Sequence, residues 1–126
     1  MPLPVSSKAL TNIRELTSRY KAGQRDFSNL NLMAANLRNL NLSGANLSGC
    51  NLTAANLTRT NLSGCNLTGA ILTKSKLVET NFNKANLSNS DLSDVDLSQT
   101  NLSQAYLRGA KLPGASEQTE SNQTLV

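Results

Sequence analysis

From Phe27 to Leu112 a Leu or Phe stands at every fifth residue, eighteen times in succession and without an insertion. A period of five belongs neither to a helix nor to a strand. On an α-helix each successive Leu would rotate by roughly 140° around the cylinder, and on a straight strand an odd period throws alternate Leu onto opposite faces. These Leu share one core only if the chain bends the same way once per unit, so that each five-residue segment is one side of a coil. The chain must wind.

The other columns of the repeat agree. Two residues before the Leu stand mainly Ala, Thr, Ser and Cys from Leu30 onward, with Leu30, Leu40 and Val95 the large exceptions. Small residues there fit a second inward position in a narrow bore. Six of the seven glycines lie two residues after a Leu, joined by Asn29, Asn39 and Asn89, all types that tolerate a positive φ. Those are the corners. Asn or Asp precedes the Leu in fourteen of the eighteen units and Ser or Thr mostly follows it, which gives an outer shell of polar groups able to bond turn backbone.

Composition supports a repeat over an ordinary core, because aromatics are only 3% of the 126 residues and Trp is absent. The formal charge of +4 divides unevenly. Lys8, Arg14, Arg19, Lys21 and Arg25 face Glu15 alone in residues 1–25, whereas residues 26–112 carry seven basic and five acidic groups. A body so balanced has neither the basic stripe that neutralises phosphates nor the dense negative field of a DNA imitator. No direct nucleic-acid binding is expected. Met1-Pro2-Leu3-Pro4 opens no secretory leader and no long apolar run follows, so no membrane contact and a cytoplasmic location are expected. Cys50 and Cys65 occupy the small inward column and read as free, space-filling thiols.

Ahead of the repeat, Ser6 or Ser7 offers an N-cap, Ala9, Ile13, Leu16 and Tyr20 form a helical stripe, and Gly23 offers a stop. A helix is therefore expected over about residues 7–22. A coil exposes apolar interior and unpaired edges at both ends, and this helix is placed to cover one of them, with Ile13, Leu16 and Tyr20 lying over Phe27. The other end looks barer. Beyond Gly114 the polar, aperiodic residues 115–126 read as a flexible tail, and the barer end is where a weak end-to-end dimer would form if the protein is not a monomer.

Units such as Ala45-Asn46-Leu47-Ser48-Gly49 and Ala85-Asn86-Leu87-Ser88-Asn89 resemble the A(D/N)LXX consensus of the pentapeptide-repeat proteins. The resemblance covers about 90 residues, and Tyr20, Gly23, Arg25 and Phe27 resemble the lead-in of bacterial, especially cyanobacterial, members. It implies an all-β solenoid: a right-handed quadrilateral parallel β-helix of twenty residues per coil, preceded by a short capping α-helix. On that geometry the lead and helix occupy 1–25 and the β-helix 26–114, about 4.5 coils and roughly 22 Å long. Residues twenty apart then stack: Asn41, Asn61, Asn81 and Asn101 in one polar column, Thr60, Thr80 and Thr100 in an inward one, Arg59 above Glu79 and Lys74 above Asp94.

Chemistry is sparse. There is no His, no nucleophile–base pair can be assigned, and no catalytic residue or cofactor is expected. The two Cys lie fifteen residues apart, and Asp91, Asp94 and Asp96 make at most a weak cation site, so no metal is assigned. Function is most visible where the pattern breaks. Ile71, Lys76, Tyr106 and Lys111 replace the Asn or Asp, and Ile71 and Lys76 are adjacent units near the middle of the rod, which makes Ile71, Lys74, Lys76, Val78, Glu79 and Lys84 the candidate interaction patch. The expected function is a non-enzymatic scaffold that contacts a protein partner. Some family members imitate DNA and protect gyrase, but those are strongly acidic. Ice binding by flat Thr arrays is a third reading, and here Thr53, Thr58, Thr68 and Thr73 are mixed with Ser.

Overall fold

The computed structural model describes residues 12–114. The expected N-cap serines, Ala9, the lead 1–5 and the tail 115–126 lie outside them. The helix α1 runs Ile13–Lys21, and residues 7–11 of the expected helix lie outside the described residues. Its N-cap is Asn12, which has extended backbone angles and accepts the Arg14 N–H on its side-chain oxygen at 2.9 Å. Asn caps as well as Ser. At the other end Gly23 N–H bonds the Tyr20 carbonyl at 3.0 Å and Gln24 N–H bonds that of Arg19 at 2.9 Å. With Gly23 at φ +104 this is a Schellman ending, which glycine permits without a Cβ penalty.

After α1 the chain winds. Every backbone bridge is parallel and joins residues twenty apart, from Asp26–Asn46 to Asp91–Lys111, so each coil has four sides of five residues. Each side contributes single bridging residues, and among the described residues no longer strand forms. We number the sides from the first coil: 26–30, 31–35, 36–40 and 41–45. A typical side makes three ladder bonds, such as Asn56 N–H to Ala35 O, Leu57 N–H to Lys76 O and Arg59 N–H to Val78 O, each at 2.9 Å.

The corners are hydrogen-bonded β-turns. Thr60 N–H returns to Leu57 O at 3.0 Å, and the residue two after the Leu has positive φ, the signature of a type II turn. Glycine eases the corners at Gly49 and Gly109 in two ways. Each has positive φ, and a Cβ on either would run into the side-chain oxygen of Asn29 or Asn89 on the preceding coil. Other corners hold Ala34, Ala54, Arg59, Lys74, Glu79, Lys84, Asp94 and Gln104 at φ +56 to +64. Each such non-glycine corner costs about 1–2 kcal/mol, so the ladder and the core must offset it.

The bore is filled by the repeat Leu, with Phe27 and Phe82 the two largest side chains fully buried inside it. The small column does more than fill space. Thr60, Thr80 and Thr100 hydroxyls donate to the carbonyls of Leu37, Leu57 and Leu77 on the preceding coil at 2.7–2.9 Å. Cys50 and Cys65 thiols do the same toward Phe27 and Leu42 at 3.0 Å. These side chains stitch coil to coil from within.

Leu16 of α1 is fully buried in this core, and Ile13 and Tyr20 pack partly buried against it. The Tyr20 hydroxyl donates to Ser43 O at 2.7 Å, an edge carbonyl whose counterpart one coil on, Ser63 O, is taken by Gly44 N–H. Arg25 stacks on the Tyr20 ring, 3.7 Å from its centroid, and donates to Tyr20 O. Gln24 donates to the edge carbonyl of Asp26 at 3.1 Å.

Candidate functional site

The outer shell is built by one local device. In all fourteen units with Asn or Asp before the Leu, its side-chain oxygen accepts the N–H two residues on, as Asn61 does from Ser63 at 3.0 Å. Where Ser or Thr follows the Leu, its hydroxyl often donates to that same oxygen, as Thr53 does to Asn51 at 2.6 Å. The column that reads as surface decoration is therefore an Asx-turn that holds each side flat before the corner. Asp91 takes both bonds from Ser93, which hold its carboxyl below the usual range, with smaller help from Lys111.

A group with a lowered folded pKa contributes stability above its unfolded pKa and loses it as pH falls through the folded value. Asp91→Asn keeps the acceptor and removes the titration. The variant is expected to match the parent near pH 7 and to lose stability less steeply as the pH falls below the ordinary carboxylate range, as read by urea midpoints. A parallel loss in both proteins would refute the assignment.

Ile71 and Lys76 lack this device. Thr73 N–H and Val78 N–H, which the Asn would have engaged, make no hydrogen bond within the described residues. Two consecutive sides thus surrender a turn bond, and they expose Ile71 (38%) and Val78 (43%) among Lys74, Lys76 and Glu79. The candidate residues do not form one flat face. Ile71 and Lys74 lie on the second side, Lys76, Val78 and Glu79 on the third, and Lys84 on the fourth, because consecutive units turn one side each. Glu79 pairs with Arg59 at 3.6 Å, and Arg59 also donates to Asn39 at 3.1 Å, a polar column along the corner. Lys74 and Asp94 stack without an ion pair.

Two exposed apolar residues stand outside the patch. Tyr106 is 63% exposed on the first side. Met33, 53% exposed, borders a groove of about 490 Å³ that also contacts Ile13. The signal for Met33 was present in the sequence, since it is an apolar residue in the column given mostly to Ser and Thr.

The rest of the chemistry is quiet. Burial pushes the Cys50 thiol up to about 11 and the Cys65 thiol up to about 12, so neither is a nucleophile near neutrality. Among the described residues no three His, Cys, Asp or Glu side chains converge to hold a metal. The threonines considered for ice binding are spread over three sides, and the hydroxyls of Thr53, Thr58 and Thr68 are bound to Asn oxygens. No helix among the described residues is long and apolar enough to cross a membrane.

Comparison with known proteins places this geometry. HetL, a pentapeptide repeat protein of the cyanobacterium Nostoc involved in heterocyst differentiation regulation, is 32% identical with a TM-score of 0.60, over 79% of this chain and 46% of HetL. The chain therefore spans less than half of HetL. Nostoc alr5209 is 32% identical, over 83% of this chain and 88% of its own, at a TM-score of 0.46. Rfr23 of the cyanobacterium Cyanothece is 34% identical, over 69% of this chain and 59% of its own, at 0.39. No curated protein sequence matches significantly. Solved relatives of this kind form right-handed quadrilateral β-helices and are generally non-catalytic scaffolds. Eight copies of the pentapeptide repeat are matched over residues 24–54, 31–69, 50–89 and 90–116, and the chain belongs to the pentapeptide-repeat family.

Proposed function

We propose that this protein is a non-enzymatic, right-handed quadrilateral β-helix that presents the Ile71–Lys84 region to a protein partner, in the cytoplasm and without a cofactor. The N-terminal part, residues 1–25, caps a body of residues 26–114 through Ile13, Leu16, Tyr20 and Phe27. One observation carries the contact assignment. Outside the last two units, at Tyr106 and Lys111, an Asn or Asp oxygen elsewhere engages the turn N–H, and in mid-coil two adjacent units give that bond up for Ile71 and Lys76, which put apolar and basic groups on the outside. A stabilising bond surrendered at a surface position indicates another use for the position. The apolar side chains of Ile71 and Val78 amid charge fit a small, mixed protein contact.

The test is affinity capture from an extract of the source organism. The wild type is expected to retain a partner that Ile71→Ser/Lys74→Glu, Lys76→Glu/Val78→Ser, or both together recover at least tenfold less well. Equal recovery by correctly folded variants overturns the assignment. A gyrase supercoiling assay separates the DNA-imitation reading, which the near-neutral body disfavours, because inhibition or protection of gyrase would replace the scaffold reading.

A further inference from the structure

The series of coil-to-coil bridges lacks one rung, and apart from Asp94 N–H, which makes no bond to Pro113 O at the last corner, the ladder bonds missing among the described residues lie beside it. Between the last two coils, bridges continue on the fourth, first and second sides as Asn81–Asn101, Asn86–Tyr106 and Asp91–Lys111, but none joins Lys76 to Asp96 on the third. The regular pattern calls for Lys74 N–H to Ser93 O, Leu77 N–H to Asp96 O and Asp96 N–H to Ser75 O. None of these bonds forms. Glu79 N–H, which should meet Ser98 O, reaches Gln99 O at 2.7 Å instead.

Two residues bracket the seam. Among the corner residues from Asn29 to Gly114, Gln99 alone lacks a positive φ. Its turn still closes through Thr100 N–H to Leu97 O at 3.2 Å, so it is a turn of type I sense with the 98–99 peptide flipped, which accounts for the shifted Glu79 bond. Val95 is the other. It puts a β-branched side chain into the small inward column, remains half-buried, and its N–H does not close on Leu92 O, whereas Ser75 and Ser90 close on Leu72 and Leu87 at 3.0–3.1 Å. The bore does not accommodate it, and the side that follows is displaced.

This is not simple fraying of an end. The missing bonds point back toward the preceding coil, and Tyr106 and Lys111, nearer the end of the coil, keep theirs to Ala85 and Ser90 at 2.9 Å. We propose that residues 95–114 open as a separate unit along this seam, ahead of the rest of the solenoid. Opening uncovers the apolar layer Leu77, Phe82, Leu87 and Leu92, together with a coil edge whose amides and carbonyls would be free to pair.

Hydrogen exchange followed by mass spectrometry on the full chain tests this. Amides that bond across to the last coil, including those of Phe82, Lys84 and Leu87, should exchange together with those of 101–111, at least tenfold faster than amides of 42–66. Val95→Ala with Gln99→Gly, which restores the small inward residue and a corner free to take positive φ, should slow that group about tenfold. Gln99→Gly alone, at an exposed corner, carries the test if the double variant does not fold, and should slow the same group severalfold. Uniform protection in the wild type, or unchanged rates in the folded variant, overturns the proposal.

Discussion

Leu16→Asp is expected to destabilise the protein by about 4 kcal/mol or more and to make it self-associate as concentration rises. Two effects add. Removing a fully buried Leu costs about 2–5 kcal/mol, and a carboxylate in its place enters the apolar core that Leu16 shares with Phe27 and Leu30, a desolvation that must be met by protonation or by undocking α1. Undocking is the easier route. It gives up Ile13 and Tyr20 packing and the Tyr20–Ser43 bond while leaving the ladder from Asn46 onward intact. The uncovered first coil then offers an apolar end and an unpaired edge. Urea midpoints and light scattering at increasing concentration read the two consequences, and Leu16→Met, close in volume, should cost less than about 1.5 kcal/mol. A variant that stays monomeric with an unchanged midpoint would show that α1 is not a structural lid.

The second large effect is expected at Phe82. Phe82→Ala should cost about 3–5 kcal/mol, near the top of the range, because the site cannot collapse. The ring lies in a column with Leu42, Leu62 and Leu102, and ladder bonds fix the walls around it: Phe82 N–H to Asn101 O at 2.8 Å on one side and Leu62 N–H to Asn81 O at 2.8 Å on the other. Phe82→Leu restores the column type and should cost less than about 1.5 kcal/mol. In a solenoid each coil contacts only its neighbours, so the Ala variant should also unfold less cooperatively, with a lower denaturant slope by circular dichroism. A loss below about 1 kcal/mol with an unchanged slope would mean the bore repacks freely.

Much of this architecture is written in the period. Eighteen Leu or Phe at intervals of five require a chain that bends once per unit, but the number of sides is not contained in that interval and came from resemblance to A(D/N)LXX repeats. The bridges at twenty-residue separation supply it directly. Asn12, extended in backbone, is the N-cap of the described helix, whereas the caps expected from sequence, Ser6 and Ser7, lie outside the described residues. Reading Gly and Asn as the corner residues was right in kind and too narrow, since Lys74, Glu79 and Lys84 also hold positive φ once ladder bonds on both sides impose it. Sequence adjacency misled most at the candidate patch. Ile71 to Lys84 is a short run along the chain and turns through three sides of the coil. Val95 was visible as an oversized inward residue, but nothing in the order of residues says that three backbone bonds would be missing beside it.

The Asx-turns of the outer shell bear on how such a chain ages. Asparagine deamidates when the nitrogen of the next residue attacks its side-chain carbonyl, and Asn is among the residues that limit protein lifetime at high temperature. Here that nitrogen belongs to the repeat Leu. Leu42, Leu47 and Leu62 N–H groups are held in the ladder at 2.7–2.9 Å, while the attacked amide is pinned by the N–H two residues on. The attack geometry is closed at each such unit as long as the coil is wound. A body this rich in asparagine is therefore chemically durable when folded, and its deamidation rate becomes a clock for how often each coil opens.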